Sequence, residues 1–140
     1  MSSIGTSSPL FSAHLPIPPG INHSYRIVSS GSGRMRLAHT PAAQQFVRDA
    51  QLALTQGYQD TSVLQAIRET KHKTPLAVIL RCYFKDMWKR DVDGVIKAAL
   101  DEVFTYLALN DTLIVRLEAT KYLDEQDPRI EVEVYLYSTH

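Results

Sequence analysis

The chain has 140 residues, which is room for one compact domain and excludes two domains of ordinary size. Hydrophobic residues make up 44% and charged residues 21%, a composition typical of a globular protein and not of a disordered chain. Fifteen basic residues balance fifteen acidic residues, so the net charge by itself indicates no partner. A single cysteine, Cys82, excludes an internal disulfide framework and a multi-cysteine zinc site.

No apolar run reaches the roughly 18 residues of a membrane span. The serine-rich start of the chain lacks the basic segment and the apolar core of a secretory signal. We therefore expect a cytoplasmic protein with no membrane contact, folded as one domain over residues 1–140, in which residues 1–9 form a flexible leader.

Hydrophobic periodicity predicts the secondary structure in chain order. Alternation with period two indicates strands, apolar steps of three and four indicate helices, and proline, glycine and Asp-rich runs mark the ends. The predicted elements are a strand over 10–17, a long polar loop over 18–39, a helix over 42–56, a short helix within 58–74, a strand over 76–85, a helix over 93–107, and strands over 113–123 and 129–137.

This order of strand, helix, strand, helix and hairpin predicts an α+β fold, a small mixed β-sheet covered by helices on one side. Thr40 before Pro41 is a favourable helix cap followed by proline at the first helical position. The turn residues 124–128 predict that the last two strands form a hairpin. Cys82 lies on the apolar phase of its strand, which predicts a buried core side chain.

Charge is unevenly distributed along the chain. Residues 71–90 contain six basic residues and one acidic residue, whereas residues 101–140 contain nine acidic and three basic residues. A basic stretch that ends at an acidic pair suits a polyanion substrate whose chemistry uses a cation.

The strongest local motif is the acidic pair Asp91 and Asp93, two residues apart where a loop enters a helix. Such a pair suits a hard divalent cation such as Mg²⁺, which takes one or two carboxylates and keeps waters for phosphate oxygens. Lys97 lies one turn further along the same helix face, and Asp111 follows the helix as a third acid. The motif predicts phosphoryl transfer, with Lys97 stabilising the developing oxyanion.

Two other interpretations fit the same residues. Asp91 or Asp93 is also a common helix cap, with Lys97 as a surface partner. The run from Asp91 to Val95 looks like the nucleophile motif of haloacid-dehalogenase-type phosphatases, although that motif follows a buried strand near the start of the chain. In that case the protein is a small-molecule phosphohydrolase with Asp91 as the nucleophile.

Taken together, three parts of the chain resemble the RusA-type Holliday-junction endonucleases, from about Leu15 to Val134. They are the segment Leu15–Tyr25 with its prolines and Asn22, the pair Gly33-Arg34 followed by Thr40-Pro41 and a helix, and the block formed by Arg90-Asp91-Val92-Asp93, Lys97 to Asp101 and Leu109-Asn110-Asp111. The chain departs from the family pattern at Gly94, where asparagine is usual, and at Asn110, where aspartate is usual.

The resemblance implies a RusA-like fold and a homodimer that binds a four-way DNA junction and nicks two opposed strands, in DNA recombination and repair. It places the catalytic and metal-binding acids at Asp91, Asp93 and Asp111 and the essential lysine at Lys97. The implied cofactor is Mg²⁺, for which Mn²⁺ can substitute, and no organic cofactor is implied. A non-catalytic junction-binding module with a weakened metal site is the alternative.

We expect the DNA contacts to come from two polar loops. The first loop combines basic side chains with an aromatic ring that could stack on a base, although a solvated loop would have the same composition. The second precedes the acidic pair. The predicted DNA-binding residues are Asn22, Tyr25, Arg34, Arg36, Lys85, Lys89 and Arg90. Trp88 is expected to anchor its loop to the core, with a wedge at the junction branch point as the alternative.

Overall fold

The structure, a computed structural model, describes residues 8–20, 25–29 and 35–138, with side chains from 8–20 and 40–138. Most of the predicted leader, Asn22 and Arg34 lie outside the described residues. The strands are β1 Phe11–Leu15, β2 Tyr25–Ser29, β3 Met35–His39, β4 Tyr58–Gln59, β5 Leu76–Phe84, β6 Ile114–Leu123 and β7 Arg129–Leu136. The helices are α1 Pro41–Thr55, α2 Thr61–Glu69 and α3 Val92–Leu107, and a short 3-10 turn covers Asp111–Leu113.

The predicted α+β class is confirmed: five strands form one mixed sheet in the order β4, β1, β7, β5, β6. Strand β6 runs parallel to β5, and the other neighbours are antiparallel. The predicted hairpin of the last two strands is wrong, because β5 lies between β6 and β7. Local turn chemistry indicates where the chain reverses, but the strand neighbours are decided by long-range burial, and β7 is apolar enough for the interior of the sheet.

The predicted loop over residues 18–39 is also wrong in part. Strands β2 and β3 pair antiparallel in a second, two-stranded sheet, with Tyr25 opposite His39 and Ser29 opposite Met35. The glycines and serines between the two strands favour a loop on composition alone, whereas the β-branched and aromatic residues before them have strand propensity.

The hydrophobic core lies between the five-stranded sheet and the helices. Strands β1, β5 and β7 contribute alternate side chains, and each helix contributes its apolar face. Full burial of a Leu, Val or Phe side chain contributes about 1.5–3 kcal/mol. Residues among the largest fully buried side chains are Phe11, Leu54, Leu64, Leu80, Phe84, Val95, Leu107 and Ile130.

Helix α1 begins as predicted, because Thr40 Oγ1 accepts a hydrogen bond from Ala43 N at 3.2 Å. It ends at Thr55, and Gly57 follows against strand β1. A Cβ at Gly57 would collide with the Ser12 carbonyl oxygen and lie 2.8 Å from the Ala13 Cβ. This close approach explains why glycine stands there.

The opposite face of the sheet has no helix over it among the described elements, and we call it the helix-free face. It bears cross-strand charge pairs, such as Arg81 to Glu133 at 2.9 Å, and a stacked pair of rings, Tyr83 and Tyr122, 4.9 Å apart. The sequence predicts a wet face for the last strand, but Tyr135 on this face is buried beside Ala77.

None of the helices in the described part of the chain has the length and apolar character needed to cross a membrane.

Candidate functional site

The loop between β5 and α3, residues 85–91, carries the acidic motif and is tied to the body of the fold at two points. Lys121 Nζ on β6 donates to the Met87 carbonyl oxygen at 2.6 Å. Arg90 Nη2 donates to the Pro18 carbonyl oxygen at 2.7 Å. The two bonds hold the backbone that presents Asp91 to solvent.

Asp91 occupies the N-cap position of α3 with extended backbone angles, φ −85° and ψ 138°. Its side chain makes no capping hydrogen bond, although aspartate is among the best capping residues. The interpretation of Asp91 as a side-chain cap is therefore not supported. Its carboxylate is exposed to solvent.

Asp93 follows in the first turn of α3, and its Oδ1 accepts a hydrogen bond from Gly94 N at 3.0 Å. The negative charge is favourable at a helix N-terminus. A Cβ built at Gly94 meets no atom within 4 Å. Packing therefore does not require glycine at this departure from the family pattern.

Lys97 lies one turn beyond Asp93 and is exposed. Its Nζ is 3.8 Å from Asp101 Oδ2, so the helical partner of Lys97 is Asp101 and not Asp93. An exposed pair of this kind contributes about 0.3–0.5 kcal/mol, which is weak enough for the ammonium group to leave Asp101 for a phosphate.

Asp111 lies at the far end of α3. The helix has 16 residues, which at 1.5 Å per residue is about 24 Å. Parallel pairing places Ile114 beside Leu76 at the start of β5, whereas the Asp91 loop leaves the end of β5 at Phe84. One chain therefore does not bring Asp111 to the acidic pair.

The donor set suits a metal ion only in part. Asp91 and Asp93 supply the one or two exposed carboxylates that Mg²⁺ takes from proteins. No group of three or more His, Cys, Asp or Glu side chains in the described part of the chain is placed to hold a metal ion. The metal centre predicted from Asp91, Asp93 and Asp111 is thus not assembled within one chain.

The loop before α3 also holds the predicted phosphate contacts. Lys85 and Lys89 are exposed, whereas Arg90 is half-buried through its bond to Pro18. The expectation that Trp88 anchors the loop to the core is wrong, because its side chain is 88% exposed. The basic residues that follow it could have indicated an exposed position.

The remaining predicted contacts are placed only in outline. Tyr25 and Arg36 lie in the two-stranded sheet, where Tyr25 is opposite His39 and Arg36 is opposite Val28. Their side chains, like Asn22 and Arg34, lie outside what the structure describes.

Two residues that support the loop were not found from the sequence. Pro18 accepts from Arg90 through its backbone, which has no sequence signature. Lys121 shares a sheet face with Leu117 and Leu123, and a lysine on an apolar strand face is a signal that could have identified it. Cys82 is buried as predicted, and burial raises the pKa of its thiol to about 11, which makes it unreactive.

The chain matches, over residues 16–135, the protein family described as endodeoxyribonuclease RusA, a class of enzyme that cuts DNA internally. The match spans most of the chain, and the protein therefore belongs to the RusA endodeoxyribonuclease family. The resemblance seen in the sequence is confirmed.

No curated protein matches the chain. One similar solved structure is 2C-methyl-D-erythritol 2,4-cyclodiphosphate synthase from Plasmodium vivax, at 9% identity and a TM-score of 0.35, covering 93% of this chain and 94% of that chain. A likeness at this level carries no argument about function.

Proposed function

We propose that the protein is a homodimeric, Mg²⁺-dependent endonuclease that resolves four-way DNA junctions by paired nicks, with Mn²⁺ as a substitute metal. The observation that carries the proposal is the exposed Asp91 carboxylate at the N-cap position of α3, uncommitted to the cap and two residues from Asp93. Membership of an endodeoxyribonuclease family supplies the substrate class.

The residues of the loop and helix have separate roles in this proposal. Asp91 and Asp93 would hold the metal ion, which would supply an activated water and neutralise charge at phosphorus. Lys97 leaves Asp101 to stabilise the charge that develops on the phosphate or the leaving group. Lys85 and Lys89 bind the phosphates on either side of the cut.

A dimer follows from the reaction. Two symmetric cuts across a junction need two active sites related by a two-fold axis. The separation of Asp111 from the acidic pair within one chain is consistent with a site that a single copy leaves incomplete.

The test is incubation of the purified protein with an end-labelled synthetic four-way junction, with and without Mg²⁺, beside a linear duplex of the same sequence. Paired symmetric nicks confined to the junction and dependent on metal support the proposal. Binding without cleavage in Mg²⁺ or Mn²⁺ would instead identify a junction-binding module. Turnover of a simple phosphate ester without cleavage of DNA would identify a small-molecule phosphohydrolase.

A further inference from the structure

Trp88 is the one tryptophan in the sequence, and its side chain projects from the loop before α3. It is 88% exposed, more than any other large apolar side chain that the structure describes. Tryptophan is highly buried on average, because its ring has a large apolar surface. The core of this fold therefore does not explain the presence of the ring in the loop.

The peptide unit between Met87 and Trp88 is fixed at both of its polar atoms. The Met87 carbonyl oxygen accepts a hydrogen bond from Lys121 Nζ at 2.6 Å, and Trp88 N donates to Asp86 Oδ1 at 2.8 Å. Because the peptide unit is planar, two bonds to it restrict the direction in which the Trp88 side chain leaves the loop. A ring held in this way loses little conformational freedom when a ligand binds.

The charges beside the ring indicate the chemistry of its ligand. Lys85 and Lys89 in the same loop are both exposed, and Lys89 directly follows Trp88. Nucleic acid offers partners for all three side chains at once, a phosphate for each ammonium group and a base for the ring. A nucleobase is therefore the occupant that fits an aromatic ring at this position.

The distance from Trp88 to the acidic pair limits which bases the ring can contact. Trp88 lies three residues before Asp91, so their Cα atoms are at most about 11 Å apart. One strand of DNA rises about 3.4 Å per nucleotide, and this distance corresponds to about three nucleotide steps. A base that stacks on Trp88 therefore lies beside the proposed cut.

A linear duplex and a branched DNA differ in how easily such a ring reaches a base. In a linear duplex both faces of each base are covered by its neighbours, so a ring must first separate two base pairs. That separation costs about as much as stacking on an aromatic ring returns. Where four arms meet, continuous stacking is interrupted and the cost is smaller. The same contact is thus favourable at a branch and nearly neutral in a linear duplex.

We propose that Trp88 stacks on a base at the branch point and determines the preference of the protein for branched over linear DNA. The inference rests on the proposed function, which it deepens by naming the side chain that recognises the branch. Lys85 and Lys89 contact phosphates in both kinds of DNA and contribute affinity without this preference.

The first test uses the wild-type protein, because its intrinsic tryptophan fluorescence comes from Trp88 alone. Stacking on a base quenches indole emission. The measurement is made without a divalent metal, so that the DNA stays uncut. A four-way junction should quench the emission, whereas a linear duplex should not, at concentrations at which each DNA is bound. Equal quenching by both DNAs, or quenching by neither, would overturn the proposal.

The second test compares the affinities of variants for the junction and for the duplex by fluorescence anisotropy. Trp88→Ala should lower the affinity for the junction about tenfold and leave that for the duplex unchanged. Trp88→Phe keeps an aromatic ring and should retain most of the preference. Circular dichroism checks that each variant is folded. A Trp88→Ala variant that loses equal affinity for both DNAs, or a Trp88→Phe variant as weak as Trp88→Ala, would overturn the proposal.

The matched control is Lys89→Ala, a change at the neighbouring exposed residue. It should weaken binding to the junction and to the duplex by a similar factor, because a phosphate contact does not depend on access to a base. A loss confined to the junction in Lys89→Ala would overturn the assignment of the preference to the ring.

The role of Trp88 and the proposed cleavage can fail separately. Selective quenching in a protein that cuts nothing in Mg²⁺ or Mn²⁺ would support the role of Trp88 and overturn the proposed endonuclease. Metal-dependent cleavage of junctions by a protein whose Trp88→Ala variant keeps the full preference would overturn the role of Trp88 and leave the proposed function standing.

Discussion

The two ends of helix α3 use similar polar residues in different ways. At the N-terminal end, Asp91 stands at the N-cap position and makes no capping bond. Beyond the C-terminal end, Asn110 Oδ1 accepts from Thr112 N at 2.9 Å and caps the next turn. A missing side-chain cap gives up about 0.5–2 kcal/mol of stability. The comparison shows that the chain forgoes this stabilisation where chemistry is proposed.

The two ends of α3 also differ in their surroundings. The N-terminal end is approached by an exposed loop with Lys85, Trp88 and Lys89. The C-terminal end closes on itself, because Ala108 adopts the left-handed conformation and its N–H donates to the Thr105 carbonyl oxygen at 3.2 Å. The N-terminal end is thus open to solvent, whereas the C-terminal end carries a left-handed residue that terminates the helix.

The largest effect is expected from Asp93→Asn. Loss of one proposed metal-binding carboxylate should lower junction cleavage at least about a hundredfold, while junction binding stays equal or becomes tighter because a charge that repels phosphate is removed. Single-turnover cleavage and gel mobility shift measure the two quantities. The control is Asp49→Asn on α1, and cleavage by Asp93→Asn at the wild-type rate would refute the assignment.

Trp88→Ala should weaken binding to the four-way junction about tenfold, since stacking of a base on an aromatic ring contributes about 1–3 kcal/mol. The side chain is almost fully exposed, so the melting temperature should not change. Fluorescence anisotropy with labelled junction measures the affinity, and Tyr58→Ala is the control for loss of an exposed ring. Unchanged affinity would mean that Trp88 does not contact DNA.

Asn110→Ala and Asp91→Ala test the two ends for stability. Asn110→Ala removes a cap and should lower the free energy of unfolding by about 1 kcal/mol. Asp91→Ala removes no capping bond and should cost only a few tenths, from the lost charge at the helix N-terminus. Urea unfolding compares the two variants. Equal losses at both ends would contradict the difference drawn between them.

Gly94→Ala should raise the free energy of unfolding by up to about 1 kcal/mol, because the position is helical and a Cβ there meets nothing. Thermal unfolding measures this, with Gly57→Ala as the destabilising counterpart, since a Cβ there would collide with strand β1. A lower free energy of unfolding for Gly94→Ala would show that the start of α3 does not accept a side chain at this position, despite the open space around it.

The smallest effect concerns acid stability near the Asp91 end. Hydrogen bonding from Arg129, at 2.8 Å, lowers the pKa of Asp124. A pKa lowered in the folded state gives stability that is present above the unfolded pKa of about 4 and is lost as the pH falls through the folded value. Arg129→Gln should therefore unfold at higher pH than the wild type, as measured by circular dichroism during acid titration. If the acid unfolding curves of Arg129→Gln and the wild type coincide, the Arg129–Asp124 pair does not contribute to acid stability.

The sequence predicted the elements whose periodicity is long and regular. Helices α1 and α3 and strand β5 begin and end within one or two residues of the predicted limits, and the short helix α2 also forms. The strands that pair with β6 and β7 could not be predicted from the sequence. The same turn residues are compatible with β6 and β7 pairing directly as a hairpin and with β5 lying between them.

The candidate site was predictable in type and only partly in arrangement. The acidic pair and Lys97 are local to one helix start, so their spacing determines their proximity. The position of Asp111 relative to the acidic pair depends on the length of α3 and on where the chain reverses after it. No local sequence pattern predicts that distance. Trp88 was misplaced because aromatic character favours burial on average, whereas the side chain here projects from a loop.

The hydrogen bond from Arg90 to the Pro18 carbonyl oxygen limits where the second sheet can go. Only six residues separate Pro18 from the start of β2 at Tyr25, a stretch of chain that reaches at most about 25 Å. The same arginine directly precedes Asp91. The chain therefore holds the start of the small sheet within about 25 Å of the point where the loop that carries Asp91 is anchored.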